Sequence, residues 1–267
     1  MMNRKLLAVV LVLLAVACQP QTQDEDKRPA KVYLIGDSTV ADYTQDDDYQ
    51  SKRYPITGWG QVFQPLMTKD SLAKVAIISA DSVLVDDRAK GGRSTRTFFQ
   101  EGRWRAVYDE MQPGDFVLMQ FGHNDAAESK PERYVNIEGY KEFLRLFIAQ
   151  TREKGGTPVL ITPVSRNYPW SDEGVLQPTI HGEYPGAMKE VAEELNVYLI
   201  DLTTTSAELF SQVGRQKVAE KYFMNLPAGL YEAYPDGQHD NTHFQPEGAR
   251  AVAALVFKGL TELTLKK

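Results

Sequence analysis

Residues 32–35, Val-Tyr-Leu-Ile, run apolar with no polar alternation and stop abruptly at Gly36-Asp37-Ser38. A strand without a polar face has to be buried on both sides, which happens inside a parallel sheet covered by helices. Gly36 lets the backbone turn tightly at the strand end. In open α/β sheets ligands bind beyond the carboxyl ends of the strands, so a serine just past that end stands where a substrate would lie. Gly-Asp-Ser is also ordinary turn composition, and the remaining chain has to decide between the two meanings.

The pattern recurs along the chain. Residues 83–89 predict a second strand that leads into Gly91-Gly92-Arg93-Ser94, and residues 115–121 a third that leads into Gly122-His123-Asn124-Asp125. Residues 157–162 and 197–201 supply a fourth and a fifth strand. Between them, Tyr140, Phe143, Leu144, Phe147 and Ile148 repeat at i, i+3, i+4, i+7 and i+8, the apolar stripe of a helix packed on a sheet, and Gly155-Gly156 ends it. Phe98, Trp104, Val107, Tyr108 and Met111 predict one helix over 98–111.

Further helices are expected over 186–195 and 206–219, and a short or kinked one over 58–69, where Pro65 interrupts the spacing of Trp59, Val62, Phe63 and Leu66. Residues 163–178 read as a long loop carrying Arg166, Tyr168 and Trp170. Residues 222–245, with Pro227, Gly229, Pro235 and Gly237, read as a long irregular loop of the kind that often carries function. Pro246 opens a last helix with Val252, Leu255, Val256 and Leu260 on one face.

Alternating strands and helices predict an α/β fold, a three-layer α/β/α sandwich around a central parallel five-stranded sheet. With 267 residues, 42% of them hydrophobic, and no composition break, residues 31–267 are expected to form one domain.

The start of the chain reads as an export signal. Arg4-Lys5 precede an apolar run over residues 6–17, too short to span a bilayer comfortably, so residues 1–17 are expected to be a signal peptide. Cys18, the only cysteine, follows Ala15-Val16-Ala17, which resembles a bacterial lipoprotein signal in which the cysteine is lipidated. Ala15 stands where such signals usually carry leucine, and small residues before a cleavage point also suit an ordinary signal peptide. One cysteine allows no disulfide within the chain. Residues 18–30, polar and proline-containing, are expected to be a flexible tether between anchor and domain. Cleavage before Cys18 removes Arg4 and Lys5 and takes the formal charge from −6 to −8, which argues against nucleic-acid binding.

Asp240-Asn241-Thr242-His243 stand just before the last helix. A serine needs a base to take its proton, and the base needs an acceptor that fixes its tautomer and stabilises the imidazolium. His243 and Asp240 could supply both, although Asp-x-x-His alone is a weak signal. Taken together, Gly36-Asp37-Ser38, Gly92, Gly122-His123-Asn124-Asp125 and Asp240 with His243 resemble in order and spacing the four blocks of the SGNH, or GDSL-type, hydrolases.

That resemblance implies a flavodoxin-like sandwich with Ser38 as nucleophile, His243 as general base and Asp240 as its orienting acid. It also implies an oxyanion hole made by the backbone N–H groups of Ser38 and Gly92 and the side-chain amide of Asn124. Strand-end donors of this kind stabilise the charge that develops in acyl transfer without reorganising. No G-x-S-x-G elbow is present, which argues against the α/β-hydrolase fold.

The run Ala89-Lys90-Gly91-Gly92-Arg93-Ser94 resembles the Ala-x-x-Gly-Arg-Ser of rhamnogalacturonan acetylesterases, which implies a serine esterase that deacetylates pectic polysaccharide. Acetyl-xylan or general short-chain esters are the alternative substrates. A glycan-binding lipoprotein without catalysis, using Tyr168 and Trp170 as stacking platforms, is an alternative of another class.

Arg93, Arg96 and Arg166 are candidates for holding the substrate. The basic residues from Arg88 to Arg105 equally suit surface ion pairs with Asp86, Asp87 and Glu101. His239 and His243 are four apart, but Pro235, Gly237 and Pro246 surround them and argue against a helical metal pair. His123 is expected to hold loops together. The chemistry calls for no cofactor and no metal. The expected partners are an acetylated polysaccharide and, through the lipid alone, a membrane, and no protein partner is evident.

Overall fold

In the computed structural model, which describes residues 28–265, Val32, Tyr33, Leu34 and Ile35 are fully buried on strand β1 (Ala30–Gly36). Four further parallel strands join it: β2 (Val83–Asp87), β3 (Phe116–Gln120), β4 (Thr157–Ile161) and β5 (Tyr198–Ile200), in the order β2-β1-β3-β4-β5. The five-stranded parallel sheet is the one the apolar runs predict.

Side-chain alternation along β1 divides the core into two. Val32 and Leu34 face a cluster with Trp59, Phe63, Phe210, Val252 and Val256, whereas Tyr33 and Ile35 face one with Phe98, Trp104, Tyr140, Leu144, Phe147 and Met188. Helices therefore cover both faces, giving three layers. α1 (Thr95–Gln100), α2 (Arg103–Glu110), α3 (Ile137–Glu153) and α4 (Tyr184–Glu194) cover one face, and α5 (Leu202–Val213) and α6 (Pro246–Glu262) the other.

Several predicted elements take a different form. The helix expected over 98–111 is two, because Gly102 adopts φ 73° between them, and α1 starts earlier on a capping box formed by Ser94 and Thr97. Residues 58–69 contain two 3-10 turns, Gly60–Val62 and Gln64–Leu66, rather than an α-helix. The helix expected over 206–219 begins at Leu202, since the Asp201 side chain accepts from the Thr204 N–H and caps it.

The irregular loop expected over 222–245 is irregular only over 227–237, and its two ends form an antiparallel pair, β6 (Phe223–Leu226) and β7 (Gln238–Phe244). The fold also reaches into the stretch expected as tether. Arg28 donates to Asp115 Oδ1 at 2.7 Å and Ala30 already belongs to β1. The expected signal peptide, Cys18 and the rest of the tether lie outside the described residues.

Candidate active site

The sheet order creates a crevice. The chain leaves β1 for β2 on one side and returns to β3 on the other, so the carboxyl ends of β1 and β3 form the switch point at which α/β sheets bind ligands. Ser38 follows β1 and Asn124 follows β3. The turn after β1 admits only glycine at position 36, where a Cβ would lie 2.6 Å from the Gln120 carbonyl oxygen.

Beneath that turn runs a buried polar chain. Trp59 Nε1 donates to Gln120 Oε1 at 2.9 Å, Gln120 Nε2 to Thr39 Oγ1 at 2.6 Å, and Thr39 Oγ1 to Asp37 Oδ1 at 2.9 Å. Above it the Tyr43 hydroxyl donates to the Ser38 carbonyl at 2.9 Å. Burial pushes the Asp37 carboxyl up to about 6, against the Thr39 hydrogen bonds that pull it down. The backbone carrying Ser38 is thus held from both sides, while Ser38 Oγ has no hydrogen-bond partner among the described residues and lines an open cavity.

Asp240 and His243 sit on β7 where its register with β6 shifts between Phe223 and Asn225, a bulge that turns their side chains into the same cavity. His243 Nδ1 lies 2.6 Å from Asp240 Oδ2, and Asp240 Oδ1 accepts from the backbone N–H groups of Thr242 (2.7 Å) and His243 (3.1 Å). Burial alone would raise the Asp240 carboxyl, but these donors outweigh it and hold the group below its usual value, hence ionised.

A brace invisible in the sequence pattern holds this segment. Asn241 Oδ1 accepts from Asn167 Nδ2 at 2.9 Å and from Asn225 Nδ2 at 3.0 Å, and the Asn241 carbonyl accepts from the Asn167 N–H at 2.9 Å. Trp170 Nε1 donates to Asn167 Oδ1 at 3.0 Å, so the tryptophan singled out as a stacking platform supports the asparagine that supports the His–Asp pair.

Opposite, Asn124 Nδ2 donates to the Arg93 carbonyl at 2.9 Å, which leaves the amide's second N–H free to face the cavity. Its neighbour Asp125 accepts at Oδ1 from the Thr95 N–H (2.9 Å) and hydroxyl (2.6 Å), tying the loop after β3 to the start of α1. Gly92, at φ 81°, is held between those two ties and lines the same cavity. Burial pushes the Asp125 carboxyl up to about 7, Asp37 adds to the rise, and the Thr95 donors oppose it.

His123 serves as the loop link expected of it. His181 Nε2 and His123 Nδ1 are 3.0 Å apart, Arg166 Nη2 donates to the His123 carbonyl at 3.4 Å, and burial keeps both imidazoles neutral.

Of the three predicted substrate-binding arginines, Arg93 and Arg166 line the cavity and all three bond groups of the protein, Arg166 through Tyr168 and His123. Arg93 Nε donates to Glu101 Oε2 at 2.9 Å and Arg93 Nη1 to the Gly91 carbonyl at 2.7 Å. Arg96 Nη2 donates to the Pro131 carbonyl at 2.7 Å, and Arg96 does not line the cavity. Most of the basic cluster follows the ion-pair alternative: Arg88 bonds Asp86 and Glu110, Arg103 shares Glu101 with Arg93, and Arg105 pairs with Asp109. Among the described residues, no group of three or more His, Cys, Asp or Glu side chains is placed to hold a metal ion.

The cavity, of about 850 Å³, brings together Ser38, Gly92, Asn124, Arg166, Asp240 and His243. A serine, an Asp-oriented histidine and amide donors converging on the switch point of a flavodoxin-like sandwich define the class of serine acyl hydrolases. The chain belongs to the GDSL-like Lipase/Acylhydrolase family, which it matches over residues 34–251. It is 39% identical over 239 residues to the rhamnogalacturonan acetylesterase RhgT of Bacillus subtilis, covering 90% of this chain and 93% of that protein. It is 40% identical over 235 residues, covering 88% and 94%, to a probable rhamnogalacturonan acetylesterase, YesY, of the same organism.

Among solved structures, Bacillus subtilis YxiM superposes with a TM-score of 0.69 at 27% identity, covering 87% of this chain and 56% of that one. An acetylxylan esterase variant of Geobacillus stearothermophilus shares the fold, with a TM-score of 0.54 at 17% identity and coverage of 86% and 94%.

Proposed function

We propose that this chain is a serine acetylesterase that removes O-acetyl groups from an acetylated pectic polysaccharide of the rhamnogalacturonan type. The observation that carries the reading is the Asp240–His243 pair, bonded at 2.6 Å and opening on the cavity that Ser38 lines. The substrate follows from likeness to two relatives named for that activity.

In the proposed reaction, Ser38 Oγ attacks the acetyl carbonyl carbon as His243 Nε2 takes its proton, and the imidazolium is stabilised by ionised Asp240. The free N–H of Asn124, with the backbone N–H groups of Ser38 and Gly92, receives the oxyanion. His243 then gives the proton to the departing sugar oxygen, leaving an acetyl ester on Ser38. Water, deprotonated by His243, attacks that ester and frees acetate and Ser38. No cofactor enters any step.

Acetate release from acetylated rhamnogalacturonan and from acetylated xylan tests the reading. The expected result is a higher kcat/KM on the pectic polymer, lost in Ser38→Ala. Better hydrolysis of xylan would move the substrate to hemicellulose, and release of no acetate from any ester would favour a binding protein. The proposal extends to location: Cys18 after a short apolar run supports a lipid-anchored exported protein. Cys18→Ser should then leave the membrane fraction, and unchanged fractionation would refute the anchor.

A further inference from the structure

The cavity around Ser38 is lined by six basic residues, Arg53, Lys90, Arg93, Lys130, Arg133 and Arg166, and the proposed reaction needs none of them to move a proton. Four have partners in the protein. Lys90 Nζ lies 2.7 Å from Asp46 Oδ1, Arg53 lies over the Tyr43 ring and 3.7 Å from Asp46 Oδ2, and Arg93 is held by Glu101 and Gly91. Arg166 donates to Tyr168 and to His123.

Arg133 differs from these. Its side chain is only 22% exposed, its Nε is sealed from solvent, and its guanidinium makes no hydrogen bond to any described residue. The nearest carboxylate is that of its own chain neighbour Glu132, 3.9 Å from Nε and with a side chain 68% exposed. A guanidinium carries five N–H donors, and covering it without supplying acceptors costs solvation that nothing here returns.

The loop holding Arg133 is also fixed. Arg96 anchors it through the Pro131 carbonyl, the Arg133 N–H bonds the Lys130 carbonyl at 3.0 Å, and the Val135 N–H bonds the Asp125 carbonyl at 3.1 Å. This presents Arg133 Nη1 3.4 Å from where a Cβ on Gly92 would stand, beside the proposed oxyanion glycine. Lys130 adds a second charge on the same loop and forms no ion pair among the described residues. The acidic groups of the cavity are already engaged: Asp46 with Lys90, Asp42 with Thr44, and Asp240 with His243.

We infer that Arg133 is the carboxylate-binding residue of the site, receiving the carboxylate of a uronic acid at or next to the acetylated sugar. The inference rests on the reading of the site as a glycan deacetylase and adds to it the group that selects an acidic chain over a neutral one. A planar fork takes a carboxylate through two parallel N–H···O bonds, and a partly covered site strengthens both. Arg93 and Arg96, nearer Gly92 in sequence, do other work: one closes an ion pair and the other holds the loop that presents Arg133.

The test measures binding, so that it stands apart from turnover. A deacetylated rhamnogalacturonan oligosaccharide and its carboxyl-reduced form are titrated by calorimetry into the full chain, its Arg133→Met and Arg133→Lys variants, and Arg105→Met as a surface control. The expected result is that the acidic form binds on the order of 10- to 100-fold more tightly to the unaltered protein and to Arg105→Met. That preference should fall to near unity in Arg133→Met and lie between in Arg133→Lys, which keeps the charge without the fork. Because Arg133 hydrogen-bonds no acceptor among the described residues, neither variant leaves one of them unpaired.

Equal binding of the two oligosaccharides by the unaltered protein, or a preference unchanged in Arg133→Met, overturns the inference. So does equal weakening of both forms, which would make Arg133 a packing residue. Failure of the deacetylase reading shows separately, as absence of acetate release from the acetylated polymer.

Discussion

Asp240 receives His243 twice, at Oδ2 from the ring Nδ1 at 2.6 Å and at Oδ1 from the backbone N–H at 3.1 Å, so one carboxylate fixes both the ring and the turn that carries it. In Asp240→Asn the oxygen stays with the backbone N–H groups, and the amide NH₂ then faces His243 Nδ1. That reverses the ring tautomer and places a proton on Nε2, where the base must be empty. His243→Ala should abolish nearly all turnover, and Asp240→Asn should be roughly ten- to a hundredfold less damaging. Steady-state kcat on a soluble acetyl ester measures both. An Asp240→Asn variant as active as the parent would show that the carboxylate does not orient the base.

Asn124 is expected to act on the transition state. One amide N–H is committed to the Arg93 carbonyl, which aims the other, and removing an oxyanion donor of this sort costs on the order of 100- to 1,000-fold in kcat. Asn124→Ala should show that loss with little change in KM. A raised KM at constant kcat would make Asn124 a ground-state contact.

Asp125 links the site to pH. Its carboxyl is raised to about 7 by burial, so over about pH 4 to 7 the folded protein keeps a proton that the unfolded chain has released. Folded protein binding more protons than unfolded means stability falls as pH rises through this window, and Asp37, raised to about 6, acts in the same direction. Asp125→Asn keeps an oxygen for the Thr95 donors and carries no charge. Thermal melts across pH 4 to 8 should therefore show a shallower decline for the variant and a higher Tm than the parent at pH 7.5. An identical slope would mean that Asp125 does not hold the proton.

Asn241 tests the brace behind the His–Asp pair. Asn241→Ala removes the acceptor shared by Asn167 and Asn225 and leaves those buried or half-buried amides short of a partner, at a cost of about 1–3 kcal/mol. Folding should survive, with a lower Tm and a kcat reduced about tenfold as the segment loses its alignment. A lower Tm with unaltered kcat would confine Asn241 to stability.

The parallel sheet was legible because apolar runs such as Val32–Ile35 have only one home, a strand covered on both faces. Ser38 stood out as a serine just past a strand end, whereas the roles of Asn124 and of the Asp240–His243 pair came from the resemblance of four short blocks, taken together, to the SGNH hydrolases. The β6–β7 pair was hidden. Its second strand, Gln-His-Asp-Asn-Thr-His-Phe, has no apolar alternation, and Pro227, Gly229, Pro235 and Gly237 stand between the two strands. What holds it is tertiary, through Asn167 and Asn225 and through the Thr57 N–H on the Phe244 carbonyl at 2.9 Å. Gly102 marked the break between α1 and α2, but the apolar spacing across it masked the signal. Whether an arginine is paired or free depends on contacts distant in sequence, which is why Arg93 and Arg96 stood out and Arg133 did not.

Acyl transfer through Ser38 leaves a covalent trace, an acetyl ester on its Oγ. Acid quenching during turnover of 4-nitrophenyl acetate, followed by intact mass and peptide mass spectrometry, tests it most directly. The expected result is one added acetyl group, located on the peptide containing Ser38 and absent in Ser38→Ala. An acetyl group on another residue, or a folded Ser38→Ala that still turns over the ester, would contradict it.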